Sequence, residues 1–306
     1  MITVLMSTYN GEKYVKEQME SIINQDIGFN NIKLIIRDDS SNDKTYSILK
    51  AYEKEYSNIS IIRGENLGAA LSFWDLLKKV ENKNEYYAFA DQDDIWLPNK
   101  LSVAIERLKR YNDPALYYCN GLYVDKIGNS LNRNVIRKPN HHSVPTIMAG
   151  LPALGCTMVF NMKALVVFKN AKLTGIEMHD RSCLLIMYLV GRVIYDENIY
   201  LKYRQHENNV IGSAEQKSWS HRKKRFKQSY KLWFKSGKHS AVVQANDMLN
   251  NYNKILRDED YRYLKLIASY RRKPFRKWKL LNSRNISYLS KGTRKSYKLR
   301  ILLNIF

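Results

Sequence analysis

Short, continuous apolar segments alternate with amphipathic helical patterns through the first 120 residues of the chain. Within each helical pattern, apolar side chains recur three or four positions apart. Because a strand that is apolar at consecutive positions is covered on both faces, these segments predict a mostly parallel sheet flanked by helices, the α/β class. The segments are ITVLM at 2–6, IKLII at 32–36, ISII at 59–62, YYAFA at 86–90 and ALYY at 115–118.

Polar residues follow each of the first four apolar segments. The carboxyl ends of parallel strands meet at one edge of a sheet, and open α/β sheets bind their ligands beyond that edge. The sequence therefore predicts a binding site there. Its candidate residues are Thr8, Tyr9 and Asn10 after the first segment, Asp38 and Asp39 after the second, Asn66 and Gly68 after the third, and Asp91, Asp93 and Asp94 after the fourth.

The fourth segment ends in three carboxylates within four residues, 91–94, which repel one another. Three interpretations are open: a cap for the next helix, simple solvation, or a divalent cation. A cap is plausible, since Pro98 and Asn99 mark a helix start just beyond, but it would employ one carboxylate and not three. Mg²⁺ or Mn²⁺ would relieve the repulsion among all three carboxylates and would also hold substrate phosphates.

Seven segments of the chain occur in the order found in glycosyltransferase family 2. The chain resembles, more narrowly, the bacterial rhamnosyltransferase-type members that build surface polysaccharides. The resemblance covers about residues 1–211 and implies a GT-A fold, a Rossmann-like nucleotide-binding domain with an acceptor site beside it. The segments are STYNGEKYV, IIRDDSSNDKT, ENLGAALSF, DQDDIWLPNKL, GCTMVFN, HDRS and YRQHENNVIG.

The resemblance assigns the acidic cluster to a metal. DQDD matches the family's DxD motif, so Asp93 is expected to bind the Mn²⁺ or Mg²⁺ that bridges the donor diphosphate. Asp91 is expected to contact this metal or the ribose, and Asp94 is a possible helper. His206 would complete the metal shell or touch the diphosphate; its alternative is a structural role.

The resemblance also implies a nucleotide site. Thr8, Tyr9 and Asn10 match the first nucleotide-contacting loop, and Asn66 and Gly68 match a loop near the donor. The pair Asp38 and Asp39 matches the acidic residues that read the base; the sequence does not separate the two and slightly favours Asp38. Arg204 would contact the donor phosphates. Helix capping for the aspartates, a turn for 66–68 and a solvated arginine are the structural alternatives.

Asp180 matches the family's general base, which removes the proton from the acceptor hydroxyl; the alternative is a helix N-cap. The resemblance implies a single displacement with inversion, and dTDP-L-rhamnose as the donor. A UDP-hexose donor and a non-catalytic sugar-nucleotide-binding protein are the alternatives. The family commonly has aromatic residues directly after this aspartate, where this chain has Arg181 and Ser182, so the acceptor pocket is expected to differ.

Positive charge is concentrated in the last third of the chain. The net charge is +22, and residues 212–306 carry 25 Lys and Arg against 5 Asp and Glu. We therefore predict a GT-A domain at 1–211 and a basic helical C-terminal region at 212–306. Aromatic residues interleave with the cations at 221–238 and from Tyr270 onward, which favours anionic lipid of the inner leaflet as a partner. An ordinary solvated helical surface is the alternative; nucleic acid would suit the charge but not the α/β body.

The cellular setting follows from what the sequence contains. Cys119, Cys156 and Cys183 are widely spaced and odd in number, which is typical of reduced core thiols in a cytosolic protein. The chain opens on a strand, which argues against a signal peptide, and its apolar runs are too short to span a bilayer. We predict a cytoplasmic protein, peripheral on the inner face of the membrane, where a polyprenyl-diphosphate-linked saccharide acceptor would be found.

Overall fold

The computed structural model of the chain describes residues 1–136, 142–150, 153–206, 209, 240–304 and 306. The fold begins with four parallel strands. β1 lies between β2 and β4, and β2 pairs on its other side with β3. All four carboxyl ends point to one edge, as the apolar segments predict. These strands are β1 (Ile2–Thr8), β2 (Ile32–Asp38), β3 (Ile59–Arg63) and β4 (Tyr86–Ala90).

The remaining strands extend the sheet in mixed directions. β8 lies antiparallel between β4 and β6, while β9 runs parallel to β6. The strand order is β3-β2-β1-β4-β8-β6-β9-β5, with β7 beside β6. The predicted α/β fold is therefore confirmed, with its uninterrupted parallel part ending at β4. The strands are β5 (Ile95–Trp96), β6 (Ala115–Val124), β7 (Ser130–Asn134), β8 (Met158–Asn161) and β9 (Arg192–Arg204).

Helices cover both faces of the sheet, because the side chains of each strand alternate in direction. Leu5 of β1 packs into one apolar cluster with α3, α6 and α7, whereas Val4 and Met6 pack into a second with α1, α2 and α4. The helices are α1 (Val15–Ile23), α2 (Thr45–Glu55), α3 (Ala69–Lys79), α4 (Lys100–Leu108), α5 (Val144–Ala149), α6 (Met162–Asn170) and α7 (His179–Val190), with 3₁₀ turns at Phe29–Asn31 and Gly155–Thr157.

The C-terminal helices continue the first apolar cluster instead of forming a core of their own. Leu264, Tyr297 and Ile301 are buried in the same cluster as Leu5 and the side chains of α7. Asp247 accepts hydrogen bonds from the backbone N–H (2.9 Å) and hydroxyl (2.7 Å) of Thr174. These helices are α8 (Ser240–Tyr252), α9 (Asp258–Ser269), α10 (Pro274–Leu281) and α11 (Lys291–Leu302), with 3₁₀ turns at Tyr270–Arg272 and Arg284–Tyr288.

Two predictions about the C-terminal region fall on residues that the structure does not describe. The proposed boundary between residues 211 and 212 is one, and the basic aromatic segment 221–238 is the other. Among the helices of the described ranges, none combines the length and the apolar character needed to cross a bilayer.

Candidate functional site

A cleft of about 900 Å³ opens at the carboxyl edge of β1 and β4, between the loops that follow these strands and the start of α7. This is the edge where the sequence predicts ligand binding. Of the candidate residues, nine line the cleft: Tyr9, Asn10, Asp39, Asn66, Gly68, Asp91, Asp93, Asp180 and His206. Thr8, Asp38 and Arg204 lie behind its walls.

Asp38 is fully buried and serves the loop that follows β2. Its carboxylate accepts hydrogen bonds from the Thr8 hydroxyl at 3.3 Å, the Ser41 hydroxyl at 2.5 Å and the Ser41 backbone N–H at 3.2 Å. Arg63 lies 3.6 Å from the same carboxylate. Asp38 and Thr8 thus join β1 to β2 below the cleft, and neither reaches its surface.

Asp39 lies at the cleft wall and connects two loops. It pairs with Arg37, and it accepts backbone hydrogen bonds from Leu67 at 2.9 Å and from Gly68 at 2.8 Å. Gly68 has a φ of +77°, a left-handed backbone that favours glycine. The carboxylate therefore fixes the turn that begins α3. The alternative considered from the sequence was a cap on the next helix, α2, whose N-cap residue Lys44 makes no side-chain cap hydrogen bond.

Gln92 holds the loop after β1 against the acidic cluster. Its side chain accepts from the Tyr9 backbone N–H at 2.8 Å and donates to the Tyr9 carbonyl at 3.0 Å. Asn10, with a φ of +49°, accepts a hydrogen bond from the backbone N–H of Asn42 at 2.8 Å. Gln92 was not predicted as a site residue, although its place between Asp91 and Asp93 of the DxD motif was a signal.

Three carboxylates of the site hold their protons more tightly than usual. Burial, followed by the charges of Asp93 and Asp180, raises the pKa of Asp91 to about 7. Burial and the charges of Asp93 and Asp91 raise the pKa of Asp94 well above its usual range. Burial also raises the pKa of Asp180 to about 6. A nearby cation would reverse these shifts, because it favours the ionised forms.

Asp93 and His206 form a pair on the cleft wall. Nε2 of His206 lies 2.8 Å from Oδ2 of Asp93, and the imidazole stacks on Tyr14 with ring centroids 5.0 Å apart. The structure thus brings together two of the three residues predicted to hold a metal, Asp93 and His206. Among the described residues, the ligand atoms of the third, Asp91, group with those of Asp94 and Cys156. Tyr14, which also lines the cleft, was not singled out from the sequence; its apolar ring gave no signal of a site.

The Arg204 guanidinium is engaged by the protein itself. It donates to the carbonyls of Asp93 and Lys126, each at 3.0 Å, pairs with Glu17, and lies over the ring of Tyr14. The side chain is 2% exposed. Arg204 therefore holds the backbone of the acidic cluster through the Asp93 carbonyl, on the side away from the cleft. It does not line the cleft where a donor phosphate would bind.

Asp180 lies in the first turn of α7 and faces the cleft, although it is 2% exposed. It accepts from the backbone N–H of Arg181 at 2.6 Å and of Gly155 at 3.3 Å. The N-cap residue of α7 is Met178, which makes no side-chain cap hydrogen bond. Its raised pKa and its place at the cleft suit a group that accepts a proton.

His179 supports Asp180 from the core. Its ring stacks on Phe73 at 4.1 Å and meets Phe89 edge-on at 5.0 Å. Burial lowers its pKa to about 3, so the imidazole is neutral near pH 7. A Cβ at Gly155 would lie 2.4 Å from its Nε2, so only glycine fits there without displacing the ring. His179 is therefore a packing neighbour of Asp180.

The acidic cluster is chemically suited to a hard cation. Oδ2 of Asp94 is buried and accepts no hydrogen bond from any described residue. Ligand atoms of Asp91, Asp94 and Cys156 lie within 4.8 Å of one another. Burial and the adjacent aspartates raise the pKa of the Cys156 thiol, so it stays protonated and is a poor ligand for Mg²⁺ or Mn²⁺, which prefer oxygen. The carboxylates are the fitting donors.

Arg37 is a further site residue that the sequence did not reveal. Its guanidinium, 3% exposed, contacts Asp39, the Asp75 carboxylate at 3.1 Å, the Ser72 hydroxyl at 3.0 Å and the Glu65 carbonyl at 2.8 Å. It thereby joins β2 to the loop before α3. The signal in the sequence was an arginine directly after the continuous apolar run of β2, a position that is buried. A buried arginine needs several hydrogen-bond acceptors around it.

Comparisons with known proteins agree with this architecture. Residues 3–161 match the sequence model of Glycosyl transferase family 2. The chain is 32% identical over 220 residues to the dTDP-rhamnosyl transferase RfbG of Shigella flexneri, a match covering 68% of this chain and 74% of that protein.

Solved structures share the fold. The S. aureus protein TarS 1-349, in complex with UDP-GlcNAc, superposes with a TM-score of 0.62 at 18% identity, covering 99% of this chain and 80% of that one. The mannosyltransferase PcManGT from Pyrobaculum calidifontis, in complex with GDP-Man and Mn²⁺, gives 0.54 at 15% identity, covering 99% and 86%. The family match over half of the chain, the relative and the shared GT-A fold lead to one conclusion: the chain belongs to glycosyltransferase family 2 and is a glycosyltransferase.

Proposed function

We propose that the chain transfers L-rhamnose from dTDP-L-rhamnose, with inversion at the anomeric carbon, to a saccharide acceptor in bacterial surface polysaccharide synthesis. The observation that carries this proposal is the position of Asp180, a buried carboxylate with a raised pKa that faces the same cleft as Asp91 and Asp93. The proposed base for the acceptor hydroxyl and the carboxylates proposed to bind the donor's cation thus line one cleft. The Shigella flexneri relative supports the choice of donor.

The nucleotide is expected to bind along the loops that follow β1 to β3. Tyr9, Asn10, Asn66 and Gly68 line this part of the cleft, as does Asp39. The sequence slightly favours Asp38 for contact with the base; we favour Asp39 instead, because Asp38 is enclosed. Thr8, Asp38 and Arg204 then act from behind, by holding the loops that touch the donor. The leaving group is already good, so the main task of these residues is to position the sugar.

Asp180 is the proposed base. It removes the proton from the acceptor hydroxyl while that oxygen attacks the anomeric carbon from the face opposite the nucleotide, and the bond from carbon to the diphosphate breaks. Asp91, Asp93 and His206 would hold Mn²⁺ or Mg²⁺. Such a cation, when bound, stabilises the negative charge of the departing nucleoside diphosphate.

A panel of donors tests the assignment. Release of nucleoside diphosphate is measured with dTDP-L-rhamnose, UDP-glucose, UDP-galactose and GDP-mannose, each with Mn²⁺. We expect dTDP-L-rhamnose to be turned over fastest and to protect the protein best from heat. Preference for a UDP-hexose would replace the donor and keep the reaction class. Binding without any turnover, when a saccharide acceptor is also supplied, would favour a non-catalytic sugar-nucleotide-binding protein.

The metal requirement has a separate test. Excess EDTA is expected to stop transfer, and added Mn²⁺ to restore it. Direct binding of Mn²⁺ to the protein, measured by electron paramagnetic resonance, should weaken in an Asp93→Asn variant. Full activity in excess EDTA would remove the cation from the proposal.

The membrane is the proposed location of the reaction, at the cytoplasmic face. Phe275 and Trp278 of α10 are 71% and 61% exposed, and their rings stack 6.1 Å apart. Residues 270–306 hold 12 Lys and Arg and no Asp or Glu. Exposed aromatic rings among cations suit an anionic bilayer surface, where each cation contributes about 1 kcal/mol.

Vesicle sedimentation tests this location. The chain should bind vesicles that contain phosphatidylglycerol and not vesicles of phosphatidylcholine alone. A Phe275→Ser/Trp278→Ser variant should bind several-fold more weakly, whereas Ile127→Ser, at a 74% exposed side chain in the loop between β6 and β7, should bind as the wild type does. Equal binding by both variants would place the contact elsewhere.

A further inference from the structure

Gln92 is the one uncharged residue of the acidic segment 91–94, and it lies between the two aspartates proposed to hold the cation. Its side-chain amide pairs with the backbone of Tyr9, accepting from the N–H at 2.8 Å and donating to the carbonyl at 3.0 Å. An amide carries both a donor and an acceptor, whereas an ionised carboxylate carries acceptors alone. A glutamine can therefore make both hydrogen bonds, and a fourth acid at this position could not.

The loop after β1 is held from two sides. The backbone N–H of Asn10 donates to the Ser41 hydroxyl at 3.0 Å, in the segment that follows β2. The preceding backbone N–H, that of Tyr9, donates to Gln92 instead. One side of the loop is thus fixed to the region where we place recognition of the nucleotide, and the other side is fixed to the acidic cluster through Gln92.

Gly11 leaves the space that this amide occupies. A Cβ at Gly11 would lie 2.2 Å from Oε1 of Gln92 and 2.5 Å from its Cδ. Tyr9, Gly11 and Gln92 all line the cleft, so the contact between the loop and the acidic cluster is part of the wall of the site. An alanine at position 11 would push the flexible end of the Gln92 side chain away from Tyr9.

We propose that Gln92 is a positioning residue that couples binding of the donor nucleotide to binding of the divalent cation. A cation held by Asp91 and Asp93 restrains the backbone on both sides of Gln92, and a nucleoside held by the loop after β1 restrains the backbone of Tyr9. The ligand that binds first orders the contact that both use, so the second binds more tightly. The coupling rests on the proposed function, because it takes the two aspartates as cation ligands and the loop as a nucleotide contact.

Nucleosides test this coupling, because they lack the phosphates through which a nucleotide would touch the cation directly. Mn²⁺ is titrated into the full chain and followed by electron paramagnetic resonance, without and with saturating thymidine. Uridine is used in parallel, so that a different donor base does not decide the result. In the wild type we expect the bound nucleoside to tighten Mn²⁺ about fivefold or more, and Mn²⁺ to tighten the nucleoside by the same factor, since coupling is reciprocal.

Two variants break the contact by different routes. Gln92→Met keeps the length of the side chain and removes both hydrogen bonds to Tyr9. Gly11→Ala keeps Gln92 and displaces its amide. In each variant Mn²⁺ and the nucleoside should still bind, while the coupling factor between them falls to about one. If Gln92→Met does not fold, Gly11→Ala carries the same test.

Asn251→Ala is the matched control. The Asn251 side chain makes the same pair of hydrogen bonds with the backbone of Lys172, accepting from the N–H at 2.9 Å and donating to the carbonyl at 2.8 Å. Neither residue lines the cleft. The control should lose thermal stability much as Gln92→Met does, and should keep the full coupling factor, which separates a local link from a general loosening of the fold.

Three results would overturn the coupling. One is a Mn²⁺ affinity of the wild type that neither nucleoside changes, and another is full coupling in Gln92→Met. The third is an equal loss of coupling in Asn251→Ala. A wild-type chain that binds no Mn²⁺ would overturn the cation assignment and the coupling together, whereas independent binding of both ligands would overturn the coupling alone. These measurements need no sugar transfer, so the donor panel is decided separately.

Discussion

Two groups of aspartates lie at the same edge of the sheet, and their surroundings differ. Asp38 and Asp39, after β2, are surrounded by donors: two hydroxyls, three backbone N–H groups and the guanidinium of Arg37. Asp91 and Asp180, on the other side of β1, lie close to further carboxylates, and burial is the first cause of their raised pKa values.

The difference separates structural acids from reactive ones. A buried carboxylate that accepts several hydrogen bonds is stabilised in its ionised form and holds its neighbours in place. A buried carboxylate that accepts few hydrogen bonds has a raised pKa unless a cation lies beside it. Acids with perturbed pKa values of this kind cluster at functional sites. The side of the cleft built by β4 and α7 is therefore where we place the chemistry, and the side built by β2 is where we place recognition.

Replacing the proposed base should give the largest effect. In Asp180→Asn the side chain keeps its size and can no longer take a proton, so transfer should fall by about 10²–10⁴. Donor affinity, measured by isothermal titration, should stay near that of the wild type because the nucleotide loops are unchanged. Transfer at the wild-type rate would exclude Asp180 from proton removal.

Moving Asp180 indirectly, through its neighbour His179, should reduce the transfer rate less than replacing it. In Gly155→Ala, the new Cβ would lie 2.4 Å from His179, whose ring is held between Phe73 and Phe89. The start of α7 must then shift, and a displacement of about 1 Å can reduce the rate on the order of 10²-fold. Steady-state kinetics with saturating donor measure the loss.

Gly292→Ala is the control for that variant. Gly292 lies in α11, and a Cβ there would meet nothing within 4 Å. This variant should keep full activity and gain about 0.5–1 kcal/mol in the free energy of unfolding, since alanine is the better helix former. Equal kinetics for the two alanine variants would mean that Asp180 is not positioned through Gly155.

The sequence predicted the edge of the site well, for a simple reason. Continuous apolar runs fix the parallel strands, and parallel strands place their carboxyl ends together, so Asp39, Asp91 and Asp93 follow as neighbours. Which aspartate of an adjacent pair faces the ligand does not follow. Asp38 is the last residue of β2 and Asp39 is the first residue after it. Which of the two carboxylates faces the cleft depends on their contacts with Ser41, Arg37 and the turn at Gly68.

The C-terminal region shows a second limit of sequence reasoning. Its charge predicts a basic helical appendage, yet Tyr263 and Tyr297 are buried, with their hydroxyls 2.6 Å apart, in the cluster that also covers the sheet. Buried apolar side chains such as Leu264 and Ile301 alternate along these helices with exposed cations such as Arg262 and Lys295. Arg300 instead donates to the Ala149 carbonyl at the end of α5, at 3.1 Å, and no local pattern distinguishes it from its exposed neighbours.

The structural acid should matter more for stability than a reactive one. Asp38→Ala removes the acceptor for three hydrogen bonds and leaves their donors buried, so the free energy of unfolding should fall by about 3 kcal/mol. Asp91→Asn removes a charge that Asp93 and Asp180 oppose, so stability should change by less than about 1 kcal/mol while transfer is lost. Urea denaturation at pH 7.5 compares the two; a larger loss in Asp91→Asn would contradict the division between them.

The pH dependence of stability should sharpen the same division. Burial raises the pKa of Asp180 to about 6 from a usual value of 3.8. Between about pH 4 and 6 the folded protein therefore binds a proton that the unfolded chain has released, so this group makes stability fall as the pH rises through that window. The effect should be on the order of 2 kcal/mol in the metal-free protein. In Asp180→Asn this contribution disappears, and the decline between pH 4 and 6 should be shallower in denaturation curves. Parallel curves for variant and wild type would show that the pKa of Asp180 is the same in the folded and unfolded chain, and would remove Asp180 from the reactive acids.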